Sequence, residues 1–162
     1  HVVRTRPDGA FAPKDRWAMD WYYPVLGGAI TGADARRHLA DRRHEFVMEG
    51  RGVRCVSDKD WATAAETSEC AIAHQLAGDH ETAMDLLATT TPMRRQDGRY
   101  LTGIVYPDLV TFPDNECSTY TAAAVVLASD ALSGSSPASG IFVDHSTLPD
   151  IIAVEALVHE TD

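Results

Sequence analysis

The sequence predicts an all-α chain of antiparallel helical hairpins, on three observations. Residues 62–76, ATAAETSECAIAHQL, are Ala-rich and return Ala65, Cys70, Ile72 and Leu76 at helical spacing, the strongest periodic signal in the chain. Gly78 and Asp79 then supply a left-handed C-terminal residue and an N-cap, so a second helix from His80 to about Thr90 must fold back against the first. The plan recurs upstream. There WAMDWYYPVLGGAI yields at Gly27-Gly28 and Thr31-Gly32 to ADARRHLADRRHEF, whose Ala35, Leu39 and Phe46 form an apolar stripe. A further helix opens at Ser118, an N-cap, and runs through TYTAAAVVLASDAL to Ser133-Gly134, where a Gly/Ser/Pro cluster ends it.

Between the helices lie RPDGAFAPKDR, MEGRGVRCVSDKD and QDGRYLTGIVYPDLVTFPDNEC, all rich in turn residues. These are expected to be loops, and loops of such length inside a compact chain usually carry function. Residues 100–106 allow a short β-like excursion, limited by Pro107 and Pro113. Helix, turn and loop follow one another irregularly, as in helical-hairpin repeats. Residues 143–162 mix extended and short helical signals without a dominant period.

A chain of 162 residues is long enough for one domain with its own core. Its hydrophobic share of 44% and charged share of 23% are globular proportions and argue against disorder. The net charge of -10 repels phosphate backbones and anionic headgroups, so nucleic acid is not expected as a partner. No window reaches the roughly 18 to 20 uncharged apolar residues of a membrane span. Cys55, Cys70 and Cys117 are an odd, widely spaced set, read as free thiols in a reducing, cytoplasmic compartment. The chain opens His1-Val2-Val3, without an initiator Met or a signal-peptide pattern, so further sequence upstream is expected. Glycine-rich nucleotide loops and a nucleophile elbow are missing; no cofactor is expected.

The segments DRWAMDWYYPVLGG, GVRCVSDKDWATAAETSECAIA, DGRYLTGIVYPD and STYTAAAVVLASDALSG resemble a family of actinobacterial proteins described as prenyltransferase-like or squalene-cyclase-like, over roughly residues 10–142. That resemblance implies an α/α toroid, a ring of inner helices wrapped by outer ones, a geometry also used by six-hairpin glycosidases. This chain would form about half of the ring as a single partial domain. Gln96-Asp97-Gly98-Arg99-Tyr100 looks like a weakened Gln-x-x-Asp-Gly-aromatic repeat of the cyclases, with Tyr100 where Trp is usual. The Asp-x-Asp-Asp acid of the cyclases is met only by Asp58-Lys59-Asp60. Neither the Asp-Asp-x-x-Asp magnesium motif nor the zinc set of protein prenyltransferases is present. An open half-ring would expose apolar surface at a cost of about 25 cal/mol per Å². The resemblance therefore implies a missing N-terminal half, a second chain or a homodimer that covers it.

Asp20-Trp21-Tyr22-Tyr23-Pro24 is the most suggestive cluster, because an acid among aromatics can hold a raised pKa while ring faces stabilise a cation or stack on a sugar. The plainer alternative gives Trp21 and Tyr22 to helix packing and Asp20 to a cap, with Trp17 in the core. Arg54, Asp58 and Trp61 fall on the segment leading into the Ala-rich helix, and Glu66 on its first turns. A substrate anion would meet Arg54 at that helix start; otherwise an Arg54–Asp58 ion pair simply fixes the loop. Asp20 with Glu66 or Asp58 would make the acid and base of an inverting glycosidase, at about 6.5 to 9.5 Å. Glu66, Cys70 and His74 share one helix face, but three ligands in line over two turns do not wrap a tetrahedral ion, and no metal is expected. Tyr100, Tyr106, Asp108, Glu116 and Tyr120 surround the third loop and the helix after it. The leading expectation is a cavity that binds an isoprenoid or sugar-containing small molecule. A six-hairpin glycosidase-like enzyme and a non-catalytic binding or assembly module are the alternatives.

Overall fold

A computed structural model of the chain describes residues 15–144. Helices α1 (Ala18–Leu26) and α2 (Gly32–Phe46) lead into strands β1 (Val47–Met48), β2 (Gly52–Arg54) and β3 (Trp61–Thr63). Then come α3 (Ala64–Leu76), α4 (His80–Ala88), a 3₁₀ turn at Thr91–Met93, β4 (Gly103–Val105), β5 (Val110–Thr111), α5 (Thr119–Ser133) and α6 (Gly140–Val143). The strands form one antiparallel sheet in the order β1-β2-β3-β4-β5, with Val53 opposite Thr63, Ala62 opposite Ile104 and Ile104 opposite Thr111.

This corrects the all-α expectation. The sheet is built from the very segments that read as loops, 48–60 and 96–117, together with the start of the Ala-rich segment, so that helix α3 begins at Ala64 and not at 62. Strands of two or three residues are too short to display a period of two. Their stability comes from partners distant in the chain and not from local pattern.

The toroid is corrected as well. In a hairpin ring an inner helix shows one face to the hollow, whereas α3 is buried on nearly every side, from Ala64 to Ser68 and from Cys70 to His74. Helices α1, α4 and α5 and strand β2 all pack on it, so a helix stands where the hollow was expected. Its small residues explain the placement, because Ala, Ser, Thr and Cys let neighbouring backbones approach closely on all sides. One such approach fixes β2: Gly52 has φ +111°, and a Cβ there would lie 2.7 Å from Thr67 Oγ1. The same Thr67 hydroxyl accepts the Val53 N–H at 2.8 Å and donates to the Thr63 carbonyl at 2.6 Å, which ties the sheet to the first turns of α3.

The helix ends follow the sequence closely. Asp79 accepts the Thr82 N–H at 3.3 Å as the α4 N-cap, after Gly78 at φ +77°. Ser118 accepts the Thr121 N–H at 3.1 Å, and Gly134 closes α5 in the left-handed region at φ 64°. The main core joins Ala18, Tyr22 and Val25 of α1 to Ala35 and Leu39 of α2 and to Cys70, Ala71 and Ala73 of α3. A second cluster, between the sheet and α5, holds Met48, Ala62, Ile104 and Val125.

Candidate functional site

Because β3 runs straight into α3, the two acids of the segment Ala64-Ala65-Glu66-Thr67-Ser68-Glu69 stand on the first turns of a buried helix. Residues three apart on a helix have Cβ atoms about 5 to 6 Å from one another, so Glu66 and Glu69 share a face. That face meets α1 and α5. Tyr22, fully buried on α1, donates its hydroxyl to Glu69 Oε2 at 2.6 Å, and Tyr120, on the first turn of α5, donates to Glu69 Oε1 at 2.6 Å. Both carboxylate oxygens thus accept a phenol. Tyr23 closes the group edge-on to Tyr22, with ring centroids 5.2 Å apart. Glu66 lies deeper, 8% exposed, and accepts the Thr63 hydroxyl.

The electrostatics of the cluster keep its donors protonated. Burial pushes the Tyr22 phenol far above its usual range, and the adjacent Glu69 and Glu66 charges push it further. Tyr120 is raised by desolvation and by its bond to Glu69, and Tyr23 by desolvation and the Glu69 charge. Burial beside Glu66 lifts the Cys55 thiol to about 12. Three tyrosines surround one carboxylate in a partly dry setting. Tyr23 and Tyr120, 41% and 53% exposed, stand where the cluster meets solvent. Such an arrangement suits stabilisation of a developing cation or stacking on a sugar ring beside a carboxylate.

Of the residues singled out in the sequence, Glu66, Tyr22, Tyr23 and Tyr120 come together here. Asp20 is exposed on α1, and its charge acts on Arg42, which also bonds Glu45. Trp21 is 1% exposed, stacks on Phe46 at 5.4 Å and donates to the His38 carbonyl, so it is a core residue. Asp58 pairs with Arg16 at 2.9 Å, and Arg54 pairs with Asp60 at 2.8 Å, in place of the Arg54–Asp58 pair. Trp61 sits on β3 edge-on to Phe112. Tyr100 and Tyr106 pack against the sheet-side core, Tyr106 beneath the Arg51 guanidinium. Gln96-Asp97-Gly98-Arg99-Tyr100 forms a turn in which Arg99 pairs with Asp97 at 2.7 Å. Glu116 accepts the Thr102 hydroxyl, and Asp108 is exposed in the turn between β4 and β5. Cys70 is fully buried, and His74 turns Nδ1 to Asp79 at 3.0 Å.

Glu69 is the residue that sequence reasoning missed. The available signal was the i, i+3 repeat of acids in a helix otherwise made of small residues.

A cleft of about 300 Å³ lies elsewhere, between the β1–β2 turn and α4, where Arg43 and Glu49 face Thr82 and Asp85. It contains none of the clustered tyrosines or glutamates. Among the described residues no helix is long and apolar enough to cross a membrane.

No family model matches the chain. Over 142 residues, 88% of its length, it is 46% identical to the MMP endo-(1,4)-3-O-methyl-alpha-D-mannosidase of Mycolicibacterium hassiacum, and it spans 39% of that protein's length. This similarity to a glycoside-cleaving enzyme, together with the sheet, overturns the prenyltransferase-like and cyclase-like resemblance and the isoprenoid expectation that came with it.

Proposed function

We propose that this chain is part of a glycoside hydrolase acting on an α-(1,4)-linked, O-methylated mannose polymer, with Glu69 as a reacting carboxylate and Tyr23 and Tyr120 as its sugar-facing rings. The observation that carries the reading is the 46% identity to a mannosidase over 88% of the chain. The tyrosine-bound glutamate supports it, since glycosidic cleavage passes through an oxocarbenium-like transition state that a fixed, partly desolvated carboxylate stabilises. Tyr22 and Tyr120 would hold Glu69 in one rotamer, so that no reorganisation is needed as positive charge develops. Glu66 would act as a positioning residue, anchored through Thr63 beneath the site. Three free cysteines fit a cytoplasmic setting.

The test is cleavage of an α-(1,4)-linked 3-O-methylmannose oligosaccharide by protein carrying this chain, followed by product chromatography. Glu69→Gln should lower kcat by about 10²- to 10⁴-fold, whereas Asp58→Asn, at a solvent ion pair, should leave it unchanged. Undiminished turnover by Glu69→Gln would remove Glu69 from the reaction.

A further inference from the structure

The cleft between the β1–β2 turn and α4 takes no part in the Glu69 cluster, and its polar groups are not fully matched to one another. Arg43 Nη2 bonds both oxygens of Glu49, at 2.9 and 3.2 Å. Asp85, exposed on α4, has no hydrogen-bond or ion-pair partner among the described residues. Two more polar atoms are orphaned at the inner side of this cleft. Arg43 Nη1 is buried with no acceptor among the described residues, and His74 Nε2 is buried with no partner either. His74, 5% exposed on α3, turns Nδ1 to Asp79, and Asp79 in turn accepts the N–H of Thr82, which lines the cleft. Burial holds the ring neutral, and the nearby Arg43 charge acts in the same direction.

A neutral imidazole that donates Nδ1–H to a carboxylate is an acceptor at Nε2, whereas a guanidinium has only N–H groups to offer. Buried polar atoms are nearly always hydrogen-bonded, so a donor and an acceptor left over in one region require a third group. Its chemistry is restricted. An anion can accept from Arg43 but has no proton for Nε2, and the Glu49 and Asp85 charges repel it. An ammonium can donate to Nε2 but cannot accept from Nη1, and it meets the Arg43 charge. A hydroxyl does both. Asp85 is an acceptor for a second hydroxyl, and Val47, Met48 and Leu86 give the cleft an aliphatic lining suited to the C–H groups of a ring. Its volume of about 300 Å³ is at the small end for ligand clefts, room for one ring and not for an extended chain.

We infer that this cleft is a second carbohydrate site, which holds one neutral sugar ring with one hydroxyl serving Arg43 Nη1 and His74 Nε2 and another on Asp85. Both inner atoms are closed to solvent in this conformation, so the hydroxyl enters as the Arg43 side chain, 34% exposed, shifts outward. The site binds and does not cleave, and it does not rest on the hydrolytic reading of Glu69. The test is a titration of this chain, labelled with ¹⁵N, with methyl α-D-mannopyranoside, followed by NMR. Amide signals of Gly50, Asp85 and Leu86 should shift saturably with a Kd on the order of 1 mM. The His74 Nε2 signal should move to lower frequency as that atom gains a donor. Sodium phosphate and ethylammonium chloride should leave these signals in place. Asp85→Arg should abolish the response without lowering the melting temperature, because Asp85 is exposed and unpartnered, and the milder Asp85→Asn should weaken binding about tenfold.

Cleft signals that stay still in the mannoside, or that move as far in phosphate or ethylammonium, would overturn the inference. So would an unmoved Nε2 signal, or full binding by both Asp85 variants. None of these readouts uses hydrolysis. Shifts confined to Tyr23, Glu69 and Tyr120 would sink the cleft site and leave the hydrolytic reading standing, whereas cleft binding by a protein without hydrolytic activity would count against that reading alone.

Discussion

Replacing Tyr22 by Phe deletes one oxygen and leaves every packing contact of the ring in place, so its effect isolates the bond to Glu69. Tyr22 is fully buried and its hydroxyl donates to Glu69 Oε2 at 2.6 Å, a length typical of a charge-assisted O–H···O bond. Hydrogen bonds to charged groups contribute about 1.5 to 3 kcal/mol. Because Glu69 itself is half-buried, some water reaches the orphaned oxygen, which favours the lower part of that range. For a chain of this size about 2 kcal/mol corresponds to a fall in Tm of roughly 4 to 8 °C. Tyr120→Phe serves as the internal control. It removes a bond of the same 2.6 Å length to the other oxygen of the same carboxylate, from a residue 53% exposed. Water replaces that phenol readily, and the loss should stay at or below about 0.5 kcal/mol.

The assay is urea unfolding of both single variants and the double variant, followed by circular dichroism. The two losses should not add, because the bonds share an acceptor and removing one alters the solvation of the other. Equal effects of the two single substitutions, or a Tyr22→Phe protein as stable as the parent, would refute the claim that burial sets the strength of this cluster.

Two further outcomes follow from the same geometry. Gly52→Ala should destabilise the chain by about 1 to 3 kcal/mol, the usual cost of a forced backbone conformation, since φ +111° disfavours a side chain and the new Cβ would meet Thr67 Oγ1 at 2.7 Å; a urea midpoint equal to the parent's would show that β2 is not held against α3. Raising the pH should destabilise the folded chain more than Tyr22→Phe. The folded phenol pKa lies above the unfolded value of 10.0, so the phenol's contribution is fully present below about pH 10 and is lost as the pH climbs beyond it, because only the unfolded chain releases that proton. Urea midpoints of parent and variant that fall in parallel between about pH 9 and 11 would contradict this.

The helices were legible and the sheet was not, for a physical reason visible in particular residues. Asp79 and Ser118 cap helices within one turn of themselves, and Gly78 and Gly134 end them through a local backbone angle, so a window of a few residues contains both cause and effect. Ala62, in contrast, belongs to a strand because Ile104 lies opposite it. The Ala-rich run that follows it favours helix, and that propensity placed the helix start two residues early. The same distance hides the site. Tyr22 and Tyr120 stand 47 and 51 residues from Glu69, and nothing in either segment announces the other.

The donors of the site follow from where its acids stand. Helix α3 is enclosed on nearly every side, with Ala64 to Ser68 and Cys70 to His74 buried, and its Ala, Ser, Thr and Cys residues are what such close packing requires. A helix in that position cannot carry an acid without paired donors, since an uncompensated buried carboxylate costs far more than one helix contributes. Glu66 and Glu69 therefore required donors from the elements packed on α3, and the sequence offers few hydroxyl side chains able to reach them. Thr63 stands one turn before Glu66, and Tyr22, Tyr23 and Tyr120 lie on the two helices that cover that face. An acid in a small-residue helix is thus a sign of a polar cluster that has to exist, and the aromatic hydroxyls of the neighbouring helices are the place to look for it.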